Sequence, residues 1–239
     1  MKLSTLFVLI GIVIISLYCL IEVSYYSSSD NSSQNSTNTP YIEIPSINVD
    51  QAINNKSVDY GIYYDPQSAK PSFGTTALFG HRTFHGSPFL NLDKLKTGDN
   101  ITVAWPGIGN VEYAVVNSTV VDDSYRLNIE QGNKLFLITC YPLGSDAQRL
   151  IIEANQVSIY PINNSQPHST EPPYGIFIVV GFFVGGMILS FLYPIKDDQY
   201  IIFLVVVAIT AFLVLAYLFP IPPDAIESQL SWFNNLLGV

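Results

Sequence analysis

Attack on a carbonyl by a thiol needs three things: a nucleophile, a group to carry the proton, and a cation to steady the oxygen that gains charge. This chain offers one of each at the end of an apolar run. Cys140 follows Leu135-Phe136-Leu137-Ile138-Thr139 and is itself followed by Tyr141-Pro142, where proline ends a strand because it has no N–H to give. A thiol so placed stands at the rim of a rigid element, within reach of a second molecule. His81 follows Ala77-Leu78-Phe79-Gly80 and also closes an apolar run, while Arg149 opens one after the polar loop Gly144-Ser145-Asp146-Ala147-Gln148. If the segments flanking that loop pair as a hairpin, Arg149 and Cys140 face the same end. An unperturbed thiol, with a pKa of about 8.5, is mostly protonated at neutral pH, so nucleophilic use requires a nearby base or cation. A histidine can hold or return that proton, and a guanidinium can donate hydrogen bonds to the developing oxyanion.

The other chemistry-bearing residues have weaker claims. A lone cysteine after an apolar run is ordinarily a buried structural residue, and it is the company of His81 and Arg149 that shifts the reading. His85 is the rival histidine, but it stands in a glycine-containing loop rather than at a strand end. His168 falls in a proline-rich linker, Arg82 suits a structural or substrate contact, and Arg126 suits a surface ion pair. His81 and His85 have no third ligand close by in the chain, so neither a metal site nor a cofactor is expected. The only other cysteine, Cys19, lies far away in an apolar stretch, which rules out a disulfide within the middle segment and a cysteine-rich metal framework.

Composition sets where these residues work. Of 239 residues, 49% are hydrophobic and 12% charged, with a mean hydropathy of +0.31. That is too apolar for an ordinary soluble domain, and the excess sits at the two ends. Leu3 to Ile21 is uncharged and about as long as a membrane-crossing helix. The residues after it lack a small-x-small cleavage pattern, and Tyr18 precedes Cys19 where a lipid-attachment cysteine needs a small residue, so the stretch reads as an uncleaved anchor. Two further runs of spanning length, Tyr174 to Tyr193 and Tyr200 to Phe219, flank Pro194-Ile195-Lys196-Asp197-Asp198-Gln199 as a helical hairpin.

With Lys2 and the Lys196 loop inside, the long middle segment lies outside the cytoplasm. Asn-x-Ser/Thr acceptor sequences at Asn31, Asn35, Asn55, Asn100, Asn117 and Asn163 all fall in that segment. A net charge of −9 without a basic cluster argues against nucleic acid or anionic-lipid binding as the main task, and the apolar runs make the lipid bilayer an expected contact. The expected organisation is an anchor over 1–23, a Ser/Asn-rich linker over 24–39, a catalytic domain over 40–161, a second linker over 162–173, the hairpin over 174–219, and a tail over 220–239. In the tail, Ile226, Leu230, Phe233 and Leu237 recur at helical spacing.

The middle domain must position the three residues, and its pattern is that of short strands. Tyr41 to Ile44 alternates and breaks at Pro45; Ile47 to Ile53 alternates again. Thr75 to Phe79, Asn100 to Trp105, Val111 to Val121, Lys134 to Thr139 and Arg149 to Tyr160 supply further strands, and Pro88 to Leu95 a helical turn. Many short strands with brief connections predict a mainly β fold, a closed antiparallel barrel or a sandwich.

Taken together, Leu137-Ile138-Thr139-Cys140, Arg149 on the next strand, Gly80-His81-Arg82 upstream, Leu95-Lys96-Thr97-Gly98-Asp99 between them, and the opening strand Ile44-Pro45-Ser46-Ile47-Asn48-Val49-Asp50 resemble the sortase family of cysteine transpeptidases, over roughly Tyr41 to Tyr160. The resemblance implies an eight-stranded sortase β-barrel, with Cys140 as nucleophile, His81 as proton donor to the leaving amine and Arg149 at the oxyanion. It also implies partners: surface proteins with a C-terminal sorting signal similar to Leu-Pro-x-Thr-Gly, and an amine acceptor on the cell wall or on a pilin-like protein. Two features depart from the family pattern. The C-terminal hairpin is unusual, and Asp65-Pro66 is followed by Gln67 rather than by the aromatic residue of an inhibitory lid. A membrane cysteine peptidase that only hydrolyses, and a non-catalytic surface scaffold, are the alternatives.

Overall fold

The computed structural model describes residues 2–33, 39–126, 132–162, 174–222 and 225. The chain divides into two compact units, 33–170 and the combined segments 1–32 and 171–239. In the middle unit the alternating runs become strands β1 (Tyr41–Ile44), β2 (Val49–Asn54), β3 (Ile62–Tyr64), β4 (Thr76–Phe79), β5 (Asn100–Trp105), β6 (Gly109–Asp122), β7 (Lys134–Tyr141) and β8 (Gln148–Tyr160). They close into a barrel in the order β1-β2-β3-β4-β7-β8-β6-β5. The closed eight-stranded architecture agrees with expectation, but the pairing is not wholly antiparallel. β2 pairs β3 in parallel, and β4 pairs β7 in parallel. Each parallel pair requires a connection that carries the chain back to the starting end. The 3-10 turn Val58–Tyr60 lies on the first such connection, and residues 80–133 form the second.

One face of every strand fills the barrel. Ile42, Leu78, Val103, Tyr113, Leu137 and Ile152 are fully buried in a single cluster, each contributing about 1.5–3 kcal/mol relative to exposure. The opposite face of β4, β7 and β8 carries a second, smaller cluster of Ala77, Phe136, Ile138 and Ile151, with Phe79 and Val121 packed against it. These strands are therefore apolar on both faces, which is why Leu135 to Ile138 reads as a continuous apolar run rather than an alternating one.

The terminal unit holds three helices, α1 (Leu3–Ser33), α2 (Tyr174–Leu192) and α3 (Lys196–Leu218). Each contains a stretch long and apolar enough to cross a membrane. α1 continues through the Ser-rich residues where the sequence suggests that a linker begins. There Ser27 Oγ donates to the Val23 carbonyl one turn back, at 2.8 Å, and so satisfies its hydroxyl within the helix. The anchor does not stand apart from the hairpin: Ile12 packs with Ile202 and Val206, and Val23 with Val179 and Leu213. Gly186 of α2 lies so close to α3 that a Cβ there would stand 2.5 Å from Val206, the close approach that small residues allow in helix pairs.

At one end of this bundle the Thr5 hydroxyl donates to the Asp198 carboxylate and lies 2.9 Å from the Tyr193 hydroxyl. The Lys2 amide also reaches Asp198, at 3.3 Å. At the other end Tyr26 and Tyr174 meet, with ring centroids 5.3 Å apart. The start of α1 and the α2–α3 loop thus share one end of the bundle, and Tyr26 of α1 and the start of α2 meet at the other. The positions Ile226, Leu230, Phe233 and Leu237 of the extracytoplasmic or interfacial tail, and most of the linker over 162–173, lie outside the described residues.

Candidate active site

Three adjacent strands, β4, β7 and β8, bring the candidate residues to one end of the barrel. In the antiparallel β7/β8 ladder Cys140 is directly opposite Arg149, so their side chains leave the same face, with Cβ atoms about 5 Å apart by strand geometry. Val121 of β6 is opposite Arg149 on its other side. On the parallel side, Phe79 of β4 pairs with Ile138 of β7. Cys140 lies two positions beyond Ile138 within β7, so it keeps the outer face that Ile138 occupies, and His81 lies two positions beyond Phe79, just past the end of β4. The hairpin expected around Gly144 to Gln148 therefore forms, and it juxtaposes Arg149 and Cys140. β7 runs one residue beyond Cys140, to Tyr141, before Pro142 ends it.

The strand ends are fastened by the backbone. The Gly80 amide donates to the Ile138 carbonyl at 3.2 Å, and the buried Thr139 hydroxyl donates to the Gly80 carbonyl at 2.8 Å. The His81 carbonyl accepts from the Phe89 amide at 3.1 Å. Only glycine fits before His81, since a Cβ on Gly80 would stand 2.7 Å from the ring of Phe89, itself fully buried. The threonine one residue before the cysteine thus holds the histidine's strand end beside it. Cys140 and Arg149 are half-buried. Nη1 of Arg149 donates to the carbonyls of Asp146 and Gln148, and these bonds orient the guanidinium with a five-donor fork that they only partly use.

Sequence spacing missed one member of the site. Asp59, in the 3-10 turn Val58–Tyr60, places Oδ1 3.2 Å from Nε2 of His81 and 3.7 Å from Nε2 of His85. Its other carboxylate oxygen accepts from the Ser57 hydroxyl at 3.0 Å. Asp59 is 22 residues from His81, and the crossover between β2 and β3 carries it to the end of β4. A signal existed in Ser57-x-Asp59, a serine capping a short turn with an acidic residue in its first positions, but nothing in that pattern points to a histidine. His85 is buried too, folded back through three successive left-handed residues: His85 (φ 53°), Gly86 (74°) and Ser87 (48°). Its ring centroid is 5.0 Å from that of His81. Burial, and secondarily the neighbouring His81, push the pKa of His85 down to about 4 despite Asp59, so His85 is neutral at physiological pH.

Arg82 turns away from this cluster. Its guanidinium pairs with Asp93 at 2.8 Å, its Nε donates to the Leu90 carbonyl at 3.3 Å, and it lies 5.4 Å from the centroid of the Tyr141 ring. It is 6% exposed and clamps the loop after His81 against the end of β7. We expect Arg82→Ala to destabilise the domain by about 2 kcal/mol, through lost bonds and packing. Asp93→Ala leaves the buried guanidinium without its counter-charge and should cost as much or more, about 3 kcal/mol. Thermal denaturation of the two variants checks the difference. Arg126 is exposed, and His168 lies outside the described residues.

The family model of the Sortase domain matches residues 42–157. Among solved structures, sortase C-1 from Actinomyces oris is 30% identical, with 50% of this chain and 72% of that chain covered and a TM-score of 0.44. Sortase A from Corynebacterium diphtheriae is 24% identical, covering 55% and 66%, with a TM-score of 0.47. Sortase E1 from Streptomyces coelicolor, solved with a tripeptide in the active site, is 22% identical, covering 54% and 94%, with a TM-score of 0.46. No curated protein matches the chain.

Proposed function

This chain belongs to the sortase family, and on that premise we propose that it is a membrane-anchored cysteine transpeptidase acting outside the cytoplasm, with Cys140, His81 and Arg149 as its reacting groups. Its substrates are surface proteins that carry a C-terminal sorting signal. The observation that carries the reading is the pairing of Cys140 with Arg149 across β7 and β8, with His81 at the adjoining end of β4.

Cys140 Sγ, as thiolate, attacks the carbonyl carbon of the scissile peptide. The carbonyl oxygen takes up the negative charge beside the Arg149 guanidinium, which is pre-oriented by its bonds to the Asp146 and Gln148 carbonyls, so little reorganisation is needed when the charge appears. As the C–N bond breaks, His81 in its protonated form gives its proton to the departing amine. Asp59 Oδ1, 3.2 Å from Nε2, fixes the orientation of the ring. The acyl group is then a Cys140 thioester, which an incoming amine on the cell wall or on a pilin-like protein resolves, returning the proton to His81. A thioester is more open to amines than an oxygen ester is, which suits cysteine to transfer.

The expected domain organisation supports this placement: an anchor over 1–23, the catalytic domain over 40–161 and a hairpin over 174–219 put the barrel outside, tethered at both ends. Asn55, Asn100 and Asn117 are exposed on it, where glycan attachment is sterically allowed. The assay that tests the reading supplies full-length protein in detergent with Leu-Pro-x-Thr-Gly-type peptides, with and without a small amine. Cleavage should accelerate with amine, and the amine adduct should become the main product. Cleavage that never yields the adduct makes the protein a hydrolase, and no cleavage of any sorting-type peptide favours the scaffold.

A further inference from the structure

Asp59, His81 and His85 offer one ligand atom each, and the three atoms all lie within 4.8 Å of one another. The separations from Asp59 Oδ1 are 3.2 Å to His81 Nε2 and 3.7 Å to His85 Nε2. A tetrahedral zinc ion, with bonds of about 2.0–2.1 Å, holds its ligand atoms about 3.3 Å apart. The two Asp59 edges are within a few tenths of an ångström of that spacing, and the three ligand atoms are close enough that side-chain rotation can bring them onto one ion. The three side chains come from three separate places: the turn after β2, the end of β4, and the left-handed loop after it. The carboxylate is held from behind by the Ser57 hydroxyl at 3.0 Å, the kind of supporting bond that orients metal ligands. The side chains of Asp59 and His85 are 12% and 7% exposed, while that of His81, at 24%, faces the open side.

We propose that Asp59, His81 and His85 form a binding site for a borderline divalent cation, Zn²⁺ foremost, and that its occupation switches transpeptidation off. The donor set decides the class of ion. Two imidazole nitrogens and one carboxylate oxygen suit Zn²⁺ and its late first-row neighbours, whereas Ca²⁺ and Mg²⁺ require oxygen donors almost throughout. A cation on Nε2 of His81 takes the place of one of the two protons of the imidazolium, so the ring can no longer reach the acidic form that serves the leaving amine. Binding stands on geometry alone; the inhibitory effect rests on the role proposed above for His81.

The test titrates the full-length protein in detergent with ZnCl₂ by calorimetry. One saturable site is expected, at micromolar affinity or tighter, with no heat of binding from CaCl₂ or MgCl₂. His85→Gln and Asp59→Asn should each weaken binding at least tenfold, and Cys140→Ser should leave it unchanged. Thermal melts identify a variant that has failed to fold. Independently of any variant, Co²⁺ taken up by the wild-type chain should give the d–d spectrum of a four-coordinate nitrogen and oxygen site without a thiolate charge-transfer band. A thiolate band, no saturable Zn²⁺ binding below 100-fold the protein concentration, or affinity unchanged in folded His85→Gln would each overturn the site. If Zn²⁺ binds as expected but peptide transfer proceeds undiminished at saturation, the inhibitory half is wrong. If no peptide is turned over even without metal, it is the transpeptidase reading that fails, and the binding result stands.

Discussion

Cys140→Ala is expected to reduce peptide cleavage and amine transfer by roughly four orders of magnitude or more, as loss of a covalent nucleophile does in other acyl-transfer enzymes. No neighbouring group can replace it: the second cysteine, Cys19, lies in α1. Cys140→Ser retains a hydroxyl at the same place, but an alcohol is far less ionised than a thiol, so its activity should also fall near background. The fold should tolerate both changes. Cys140 is half-buried on the outer face at the penultimate position of β7, outside the barrel core, and a substitution there should alter stability by under about 1 kcal/mol. Initial rates and a thermal melt on the same preparations separate the two effects. A Cys140→Ala protein that still transfers acyl groups would remove the thioester from the account.

Arg149→Ala is expected to lower kcat by about 10²–10³-fold, equivalent to roughly 3–4 kcal/mol of transition-state stabilisation. KM should move much less, because the negative charge that Arg149 meets exists only as the carbonyl is attacked. Arg149→Lys should recover little of the loss. Lysine preserves the charge, but it has neither the planar fork nor the Nη1 bonds to the Asp146 and Gln148 carbonyls that fix the direction of the guanidinium. Those carbonyls are near solvent, so Arg149→Ala should cost at most about 1 kcal/mol in stability. Equal falls in kcat/KM through KM alone, with kcat intact, would instead make Arg149 a substrate-binding residue.

Much of this arrangement was legible before any coordinates. Asn100 to Trp105 was expected as a strand and is β5 residue for residue, since its alternation is bounded by Thr97-Gly98-Asp99 and Pro106-Gly107. The juxtaposition of Cys140 with Arg149 follows from a short polar loop between two apolar runs, since a one-residue slip of the hairpin would turn one strand's apolar set away from the core. β3 was not legible: Ile62 to Tyr64 is too short to show a period, and its existence depends on β2 and β4 at its sides. The parallel pairing of β4 with β7 was equally hidden, because residues 80–133 separate the two strands and nothing local states that the chain returns in the same direction. Asp59 was missed for the same reason. Contacts made by a crossover leave no trace in spacing, and a buried aspartate in a turn looks like any capping residue. The continuation of α1 to Ser33 reverses a composition argument, for serines read as linker can satisfy their hydroxyls on the preceding turn.

The central claim is an acyl group held on Cys140, and intact-protein mass spectrometry observes it directly. Full-length protein is mixed with a sorting-type peptide, quenched in acid before turnover is complete, and weighed, then digested to locate the adduct. The account predicts a mass increase equal to the N-terminal acyl fragment of the peptide, on the fragment containing Cys140, that disappears when a small amine is added and reappears as peptide-amine product. Cleaved peptide accumulating with no adduct at any quench time, or an adduct that hydrolyses without yielding to amine, would contradict it.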